Sequence, residues 1–323
     1  MKIRFCLLIS AAILCCSCVK HHGIDVTPDI RKTYCGNIVD GGFDHGGTVT
    51  VQAIKEGLGK DAAIDSLKFD EKLKFDVDFY HITYYTTYGL EHPELVQARA
   101  LLLIPHAIAA ENVKVAAYFH GTVLPVPEFT DILSMGTPSD FTGDNGSQDV
   151  RHCALPLASA GYCVICPDYT GYGPTANRDH PFVYYPELFQ SAEDGLRAGM
   201  RAMDTPMYGL NLHPGHDIYI AGWSQGAGLA LYAQRELEHK GSTFHVKCTS
   251  TLSGPFNVKR FLVEMLNNQD HVYLLMALYG WAAYSINMFA PSLQRPMDQI
   301  FRPSIYDQTD AFIQFGNTPR DLF

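Results

Sequence analysis

The stretch Asp217-Ile-Tyr-Ile-Ala-Gly-Trp-Ser-Gln-Gly-Ala-Gly-Leu-Ala-Leu-Tyr232 constrains the chain more than any other. Asp217 to Ala221 reads as a short buried strand, and Ala227 to Leu237 as a helix with Leu229, Leu231 and Leu237 behind small residues. Between them Gly222-Trp-Ser-Gln-Gly226 is a G-x-S-x-G match. The pentapeptide alone is weak, since it should arise by chance in about one chain in eight of this length. The context gives it weight. A tight strand-to-helix turn, an elbow, presents a serine in strained geometry, and glycines on either side let strand and helix close around it. Ser224 is therefore the candidate nucleophile, placed at the positive end of a helix dipole.

A chain of 323 residues with 47% hydrophobic and 18% charged side chains can bury one large core or two modest ones. Its net charge of -10 argues against a nucleic-acid partner, whose phosphates need Lys and Arg. The chain shows no internal repeat and no low-complexity tract.

Residues 1–18 read as a targeting segment. Lys2 and Arg4 precede the apolar run Phe5 to Cys16, too short to span a bilayer comfortably. The run ends in Cys15-Cys16-Ser17-Cys18 and resembles the lipobox of bacterial lipoproteins, which implies lipidation at Cys18, with Cys16 second. Leu14 is not at the usual lipobox position for Cys18, and a plain secretory signal is the alternative. The resemblance implies export, to the periplasm or to the outer membrane as a lipoprotein. Five cysteines remain beyond this segment, an odd number that leaves at least one thiol outside any intramolecular pairing. Cys163 and Cys166 fall within one strand on opposite faces, as small hydrophobes and not as a metal knuckle.

Residues 19–72 are polar, and Gly41-Gly42-Phe-Asp-His-Gly46-Gly47 is a loop signal, so this part reads as a tether. Strands are expected at Val77 to Tyr88 and Val96 to Ile104, as an antiparallel pair at the sheet edge, then at Val113 to Phe119. His120-Gly121-Thr122 follows, and a long loop covers 123 to 149. A short helix at 154–160 precedes a strand to Cys166 and the turn Asp168-Tyr-Thr-Gly171-Tyr-Gly173. The G-x-G-x-x-A there is not a dinucleotide site, because no helix opens on its glycines. A helix over 188–203, the elbow strand and helix, and a strand at Val246 to Leu252 complete the alternation, which predicts a mainly parallel sheet covered on both faces. His213 and His216 lack a third ligand, so no metal is expected, nor any cofactor.

These motifs, in this order, resemble the α/β-hydrolases, and among them bacterial relatives of the secretory lipases. The resemblance covers about residues 75–255 and rests on His120-Gly-Thr, Gly161-Tyr-x-Val, Asp168-Tyr-x-Gly-x-Gly173, His180-Pro-Phe, Leu196-Arg-Ala and the Ser224 pentapeptide. It implies an α/β-hydrolase fold, a core over 73–255, and a helical cap or incomplete C-terminal region over 256–323. Acyl transfer needs a nucleophile, a base and donors for the oxyanion. Ser224 is the nucleophile and the N–H of Gln225 the first donor. The resemblance places the second donor in the backbone around Gly121 and Thr122. His120 shapes that loop, and Asp168 stabilises its own turn, since both precede the serine.

The acid and base expected after the nucleophile are not evident. His239 is ~22 Å along the helix from the elbow. His245 lies at the wrong edge of the sheet, and His271 opens an apolar helix. Asp321, after Phe312-Ile-Gln-Phe-Gly316, is a faint candidate acid. The chain reads as stopping short of the family's C-terminal part, or as having lost its base. The uncharged run 272–290 is read as a cap over the site, with a core helix or a membrane span as alternatives. The leading function is a serine hydrolase of carboxylic esters, esterase- or lipase-like, with a small ester or lipid substrate and a lipid-anchored membrane location. A serine peptidase of the same fold and a catalytically inactive binding protein are the competing readings.

Overall fold

A computed structural model of the chain describes residues 28–59, 68, 71–106, 108–111, 113–123, 136–239, 241–257, 260 and 273–300. In chain order these form helix α1 (Pro28–Tyr34), strand β1 (Ile38–Val49), α2 (Val51–Leu58), β2 (Val77–Tyr88), β3 (Glu94–Pro105) and β4 (Val113–Phe119). Then come α3 (Leu155–Ser159), β5 (Cys163–Pro167), α4 (Tyr185–Asp204), β6 (Pro214–Trp223), α5 (Gln225–His239), β7 (His245–Leu252) and α6 (Tyr273–Phe289).

The strands form one sheet in the order β1-β2-β3-β5-β4-β6-β7. β1, β2, β3 and β5 pair antiparallel in turn, while β5, β4, β6 and β7 are mutually parallel. β2 therefore runs with β4 to β7, and five described strands share one direction. This is an α/β-hydrolase fold, as expected. The carboxyl ends of β4, β5 and β6 meet at one edge, with β4 between the other two. Ligands of open α/β sheets bind at such a crevice.

β5 is buried along its whole length and β4 nearly so. Their alternate residues feed two cores. Ile82, Leu102, Val115 and Ile165 pack with Leu188 and Leu196 of α4 and Leu229 of α5 on one face. Leu101, Leu103, Ala116, Val164 and Cys166 pack with Ile54 of α2 and Leu155 of α3 on the other. Each buried Leu, Ile or Val among them contributes about 1.5–3 kcal/mol. Cys163 and Cys166 divide between the two cores as the period of two requires.

The N-terminal expectation fails in part. The glycine-rich stretch read as a loop lies within β1, so the β2–β3 pair is not at the sheet edge. The glycines serve the strand's irregularity. Register shifts fall between Ile38 and Phe43 and between His45 and Gly47, as β-bulges do. At Gly46 a Cβ would overlap the Phe79 ring of β2, so only glycine lets β1 lie there. Residues 28–59 are thus part of the folded body. Arg31 of α1 donates to Thr87 Oγ1 at 2.7 Å and faces the buried Asp194 of α4 at 3.5 Å. Thr50 caps α2 by accepting from Ala53 N–H at 3.2 Å.

Among the described residues no helix is long and apolar enough to cross a membrane. α6 instead packs on the edge that carries the β2, β4, β5 and β6 carboxyl ends. Its Trp281 ring stacks on Phe182 at 4.4 Å, Tyr284 Oη donates to Asp179 Oδ2 at 3.2 Å, and Phe289 meets Tyr88 edge-on at 5.7 Å.

Two stability outcomes follow. A Cβ added at Gly57 in α2 meets no atom within 4 Å. Gly57→Ala should therefore raise stability by about 0.5–1 kcal/mol, read as a higher urea midpoint. Arg31→Ala strips a cation from a buried carboxylate and should lower stability by about 1–3 kcal/mol in the same assay. An unchanged midpoint would show that α1 contributes nothing to the core.

Candidate active site

Ser224 is the single residue between β6 and α5, and its φ is 55°. That left-handed conformation costs a non-glycine residue about 1–3 kcal/mol, and the surroundings must hold it. Its N–H donates to the Leu252 carbonyl at the end of β7 at 2.9 Å. Its own carbonyl accepts from Ala227 N–H at 3.1 Å and Gly228 N–H at 3.4 Å. A Cβ at Gly222 would overlap the Gly226 carbonyl, and one at Gly226 would overlap the Phe119 carbonyl at the end of β4. Both glycines of the pentapeptide are therefore required by backbone contact.

Gln225 opens α5, so its N–H has no carbonyl one turn earlier to bond. Its side chain is buried and its amide Nε2 lies 3.1 Å from His180 Nε2. His180 Nδ1 lies 2.8 Å from the Thr170 carbonyl. A carbonyl only accepts, so Nδ1 carries the proton and Nε2 accepts from the Gln225 amide. Burial pushes the His180 pKa down to about 3, so the ring is neutral.

The loop after β4 is held from several sides. His120 is buried, with Nδ1 2.7 Å from the Gly121 carbonyl and Nε2 3.0 Å from the Asp168 carbonyl. Burial lowers its pKa, against the opposing charge of Asp149. Tyr169 Oη donates to the His120 carbonyl and Tyr172 Oη to the Val123 carbonyl, each at 3.1 Å. The Gly121 N–H donates to Asp149 Oδ2 at 2.6 Å, and a Cβ on Gly121 would come within 2.6 Å of the Trp223 ring. The Gly121 N–H is thus committed to a carboxylate. Of the two residues expected to supply the second oxyanion donor, the Thr122 amide remains. Thr122 is itself buried.

Asp168 accepts from Ser139 N–H at 2.9 Å and Ser139 Oγ at 2.5 Å, so its carboxylate is structural but holds the loop before α3 and not its own turn. Burial pushes its carboxyl up to about 7. The Gly171 to Ala176 decoy is a short 3-10 turn over Gly173–Thr175, and α4 begins only at Tyr185. His213 pairs with Asp204 at 3.1 Å, and among the described residues no cluster of three ligating side chains is suited to a metal.

The histidines after the serine lie away from it. His239 Nδ1 faces the Arg235 carbonyl at 2.8 Å, and His245 Nδ1 lies 3.5 Å from Asp217 at the opposite end of the strands. Among the described residues no imidazole is hydrogen-bonded to the Ser224 hydroxyl. His271, Asp321 and Cys18 lie outside the described residues. Sequence reasoning missed two members of this centre. Asp149 closes a long loop with no local signal. His180 stands in a noted motif, but nothing in the chain announces its contact with Gln225, 45 residues away.

The sequence matches the alpha/beta hydrolase family over residues 118–321, more than half of the chain. The chain belongs to the alpha/beta hydrolase family. No curated protein sequence matches it. Among solved structures it is similar to a putative hydrolase from Legionella pneumophila, at 22% identity and a TM-score of 0.67, over 85% of this chain and 67% of that one. It is also similar to the rice cell wall degrading esterase LipA from Xanthomonas oryzae, at 20% identity and a TM-score of 0.66, over 89% of this chain and 68% of that one. Against Candida antarctica lipase A in its closed state the identity is 16% and the TM-score 0.53, over 90% of this chain and 58% of that one. These likenesses establish the hydrolase fold, and family membership supports hydrolase activity.

Gly226→Ala should cost about 3 kcal/mol or more, because a Cβ there meets backbone that cannot step aside. A soluble variant with a wild-type melting temperature would refute that packing. For Asp168 the folded pKa of about 7 lies above the unfolded value near ~3.9. Its contribution to stability is therefore full below ~4 and lost as pH rises through about 7. Asp168→Asn should gain on wild type in urea midpoint between pH 5 and pH 8, and a gap independent of pH would contradict the raised pKa.

Proposed function

We propose that this chain is a serine hydrolase of carboxylic esters that works through an acyl-enzyme at Ser224. The observation that carries the reading is the Ser224 backbone, held at φ 55° on a one-residue turn between strand and helix. Strain of this kind persists where surrounding structure enforces it, and it clusters at reacting residues. In the proposed step the Ser224 Oγ bonds to the acyl carbon and the carbonyl π pair moves onto oxygen. The N–H groups of Gln225 and Thr122 receive that oxyanion. Gly121, bare of a side chain, lets the Trp223 ring close against this loop. Collapse of the intermediate expels the alcohol, and water then releases the acid. Two fold neighbours are by name an esterase and a lipase, which favours an ester or lipid as substrate.

The Ser224 proton has to pass to a base. His120 is unsuited, since both its nitrogens face carbonyl oxygens. The lack of an imidazole on Ser224 among the described residues favours a second reading, a hydrolase-fold protein that binds an ester without rapid turnover. An oxyanion hole without its base retains about 10³–10⁴-fold acceleration over water. The 323-residue chain should therefore be labelled at Ser224 by a fluorophosphonate, should lose that labelling in Ser224→Ala, and should hydrolyse p-nitrophenyl butyrate slowly. Undiminished labelling of Ser224→Ala would exclude this nucleophile. Turnover at ordinary rates of about 1–10³ s⁻¹, abolished in Ser224→Ala, would establish that a base is present.

The reading extends to location: an exported chain lipidated at Cys18 and held at a membrane surface. The Lys2 and Arg4 start, the short apolar run and Ser17-Cys18 support it. Mass spectrometry of the mature N-terminus should find a diacyl-modified Cys18, and a retained Met1 would refute export.

A further inference from the structure

Gln225 has two parts with different tasks. Its N–H is the donor that the proposed mechanism aims at the oxyanion. Its side chain is 1% exposed and points away into the core, where its amide meets His180, itself 0% exposed. A buried amide N–H₂ without an acceptor is costly, so the side chain stays where an acceptor waits. The acceptor is a ring nitrogen whose availability is fixed elsewhere. The Thr170 carbonyl takes the Nδ1 proton at 2.8 Å, which leaves Nε2 as a lone pair. Trp281 of α6 lies 5.6 Å from the His180 ring and Tyr172 4.4 Å, so the bond is shielded from water.

The Asp168–Gly173 turn also reaches the other side of the hole. Tyr169 Oη holds the His120 carbonyl and Tyr172 Oη holds the Val123 carbonyl, the residues that flank Gly121 and Thr122. Thr170, between those tyrosines, holds His180. One six-residue turn thereby sets the loop after β4 directly and the elbow through a single imidazole.

We propose that His180 is a positioning residue for the oxyanion hole: its Nε2 holds the Gln225 amide and so fixes the Gln225 N–H in register with that of Thr122. This rests on the reading of Ser224 as nucleophile. His180 touches no reacting atom.

The test compares wild type with His180→Asn, His180→Gln, Gln225→Leu and the Asn/Leu double variant in the full 323-residue chain. Asparagine at 180 places a donor at the Nδ1 position and keeps the Thr170 bond, but its carbonyl falls short of the Nε2 position that Gln225 meets. Glutamine reaches the Nε2 position with its carbonyl. The readouts are the second-order rate of Ser224 phosphonylation by a fluorophosphonate, kcat and KM on p-nitrophenyl butyrate, and the melting temperature. Loss of a whole oxyanion donor slows catalysis about 10²–10³-fold, so misplacing one should slow phosphonylation and kcat about 10-fold or more in His180→Asn, with KM within about 2-fold. His180→Gln should recover part of the rate, and the double variant should be no slower than either single one, because both break the same bond. Wild-type phosphonylation in folded His180→Asn, or rate losses that multiply in the double variant, would overturn the proposal. Should His180→Asn fail to fold, Gln225→Leu decides alone: a wild-type rate there overturns it and a slowed one supports it. A wild-type chain not labelled at Ser224 sinks the nucleophile reading and this inference together, an outcome distinct from labelled wild type with unaffected variants.

Discussion

Three segments of backbone meet at the elbow without a side chain between them. The end of β4, the end of β6 and the first turn of α5 come so close that Gly226 has no space for a Cβ against Phe119 and His120, nor Gly222 against Gly226. Everything at the candidate site inherits its position from this contact. It brings the loop after β4 beside the start of α5, with Ser224 the single residue between β6 and α5. The order β5-β4-β6 makes the contact possible, because β4 and β6 are neighbours although β5 and α4 intervene in the chain.

The polar groups around this contact are arranged so that buried carbonyls are satisfied by donors from the Asp168–Gly173 turn and from His180. Tyr169, Tyr172 and His180 supply three such bonds, and Asp149 accepts the Gly121 N–H from the other side. Burial keeps His180 neutral and raises the Asp149 and Asp168 carboxyls. Groups shifted in this way by desolvation are suited to holding geometry, since their hydrogen bonds are not exchanged with water.

What the sequence disclosed divides along physical lines. β2 to β7 were legible because apolar and β-branched residues recur in strand-length runs, and Ser224 because its elbow is a local arrangement of neighbours in the chain. β1 was not legible. Its glycines carry no hydrophobic signal, and their use depends on Phe79 of another strand. The Gly121 N–H illustrates the same limit. Its loop position made it a natural oxyanion donor, yet Asp149, 28 residues on, occupies it. The His180–Gln225 bond spans 45 residues and likewise depends on how two loops fold back over the sheet. Local chemistry is written in neighbouring letters, and the shell that orients it is written in tertiary distance.

The Ser224 amide has a further dependence. Its described acceptor is the carbonyl of Leu252, the last residue of β7, one of the two end strands of the described sheet, and Leu252 is 63% exposed. Strand ends at a sheet margin open locally at far lower cost than the centre of the sheet. The strained residue is thus tied to the end of a neighbouring strand and not only to its own helix. Opening of the β7 terminus would release the Ser224 N–H, so exchange of that amide with solvent deuterium should follow the β7 terminus.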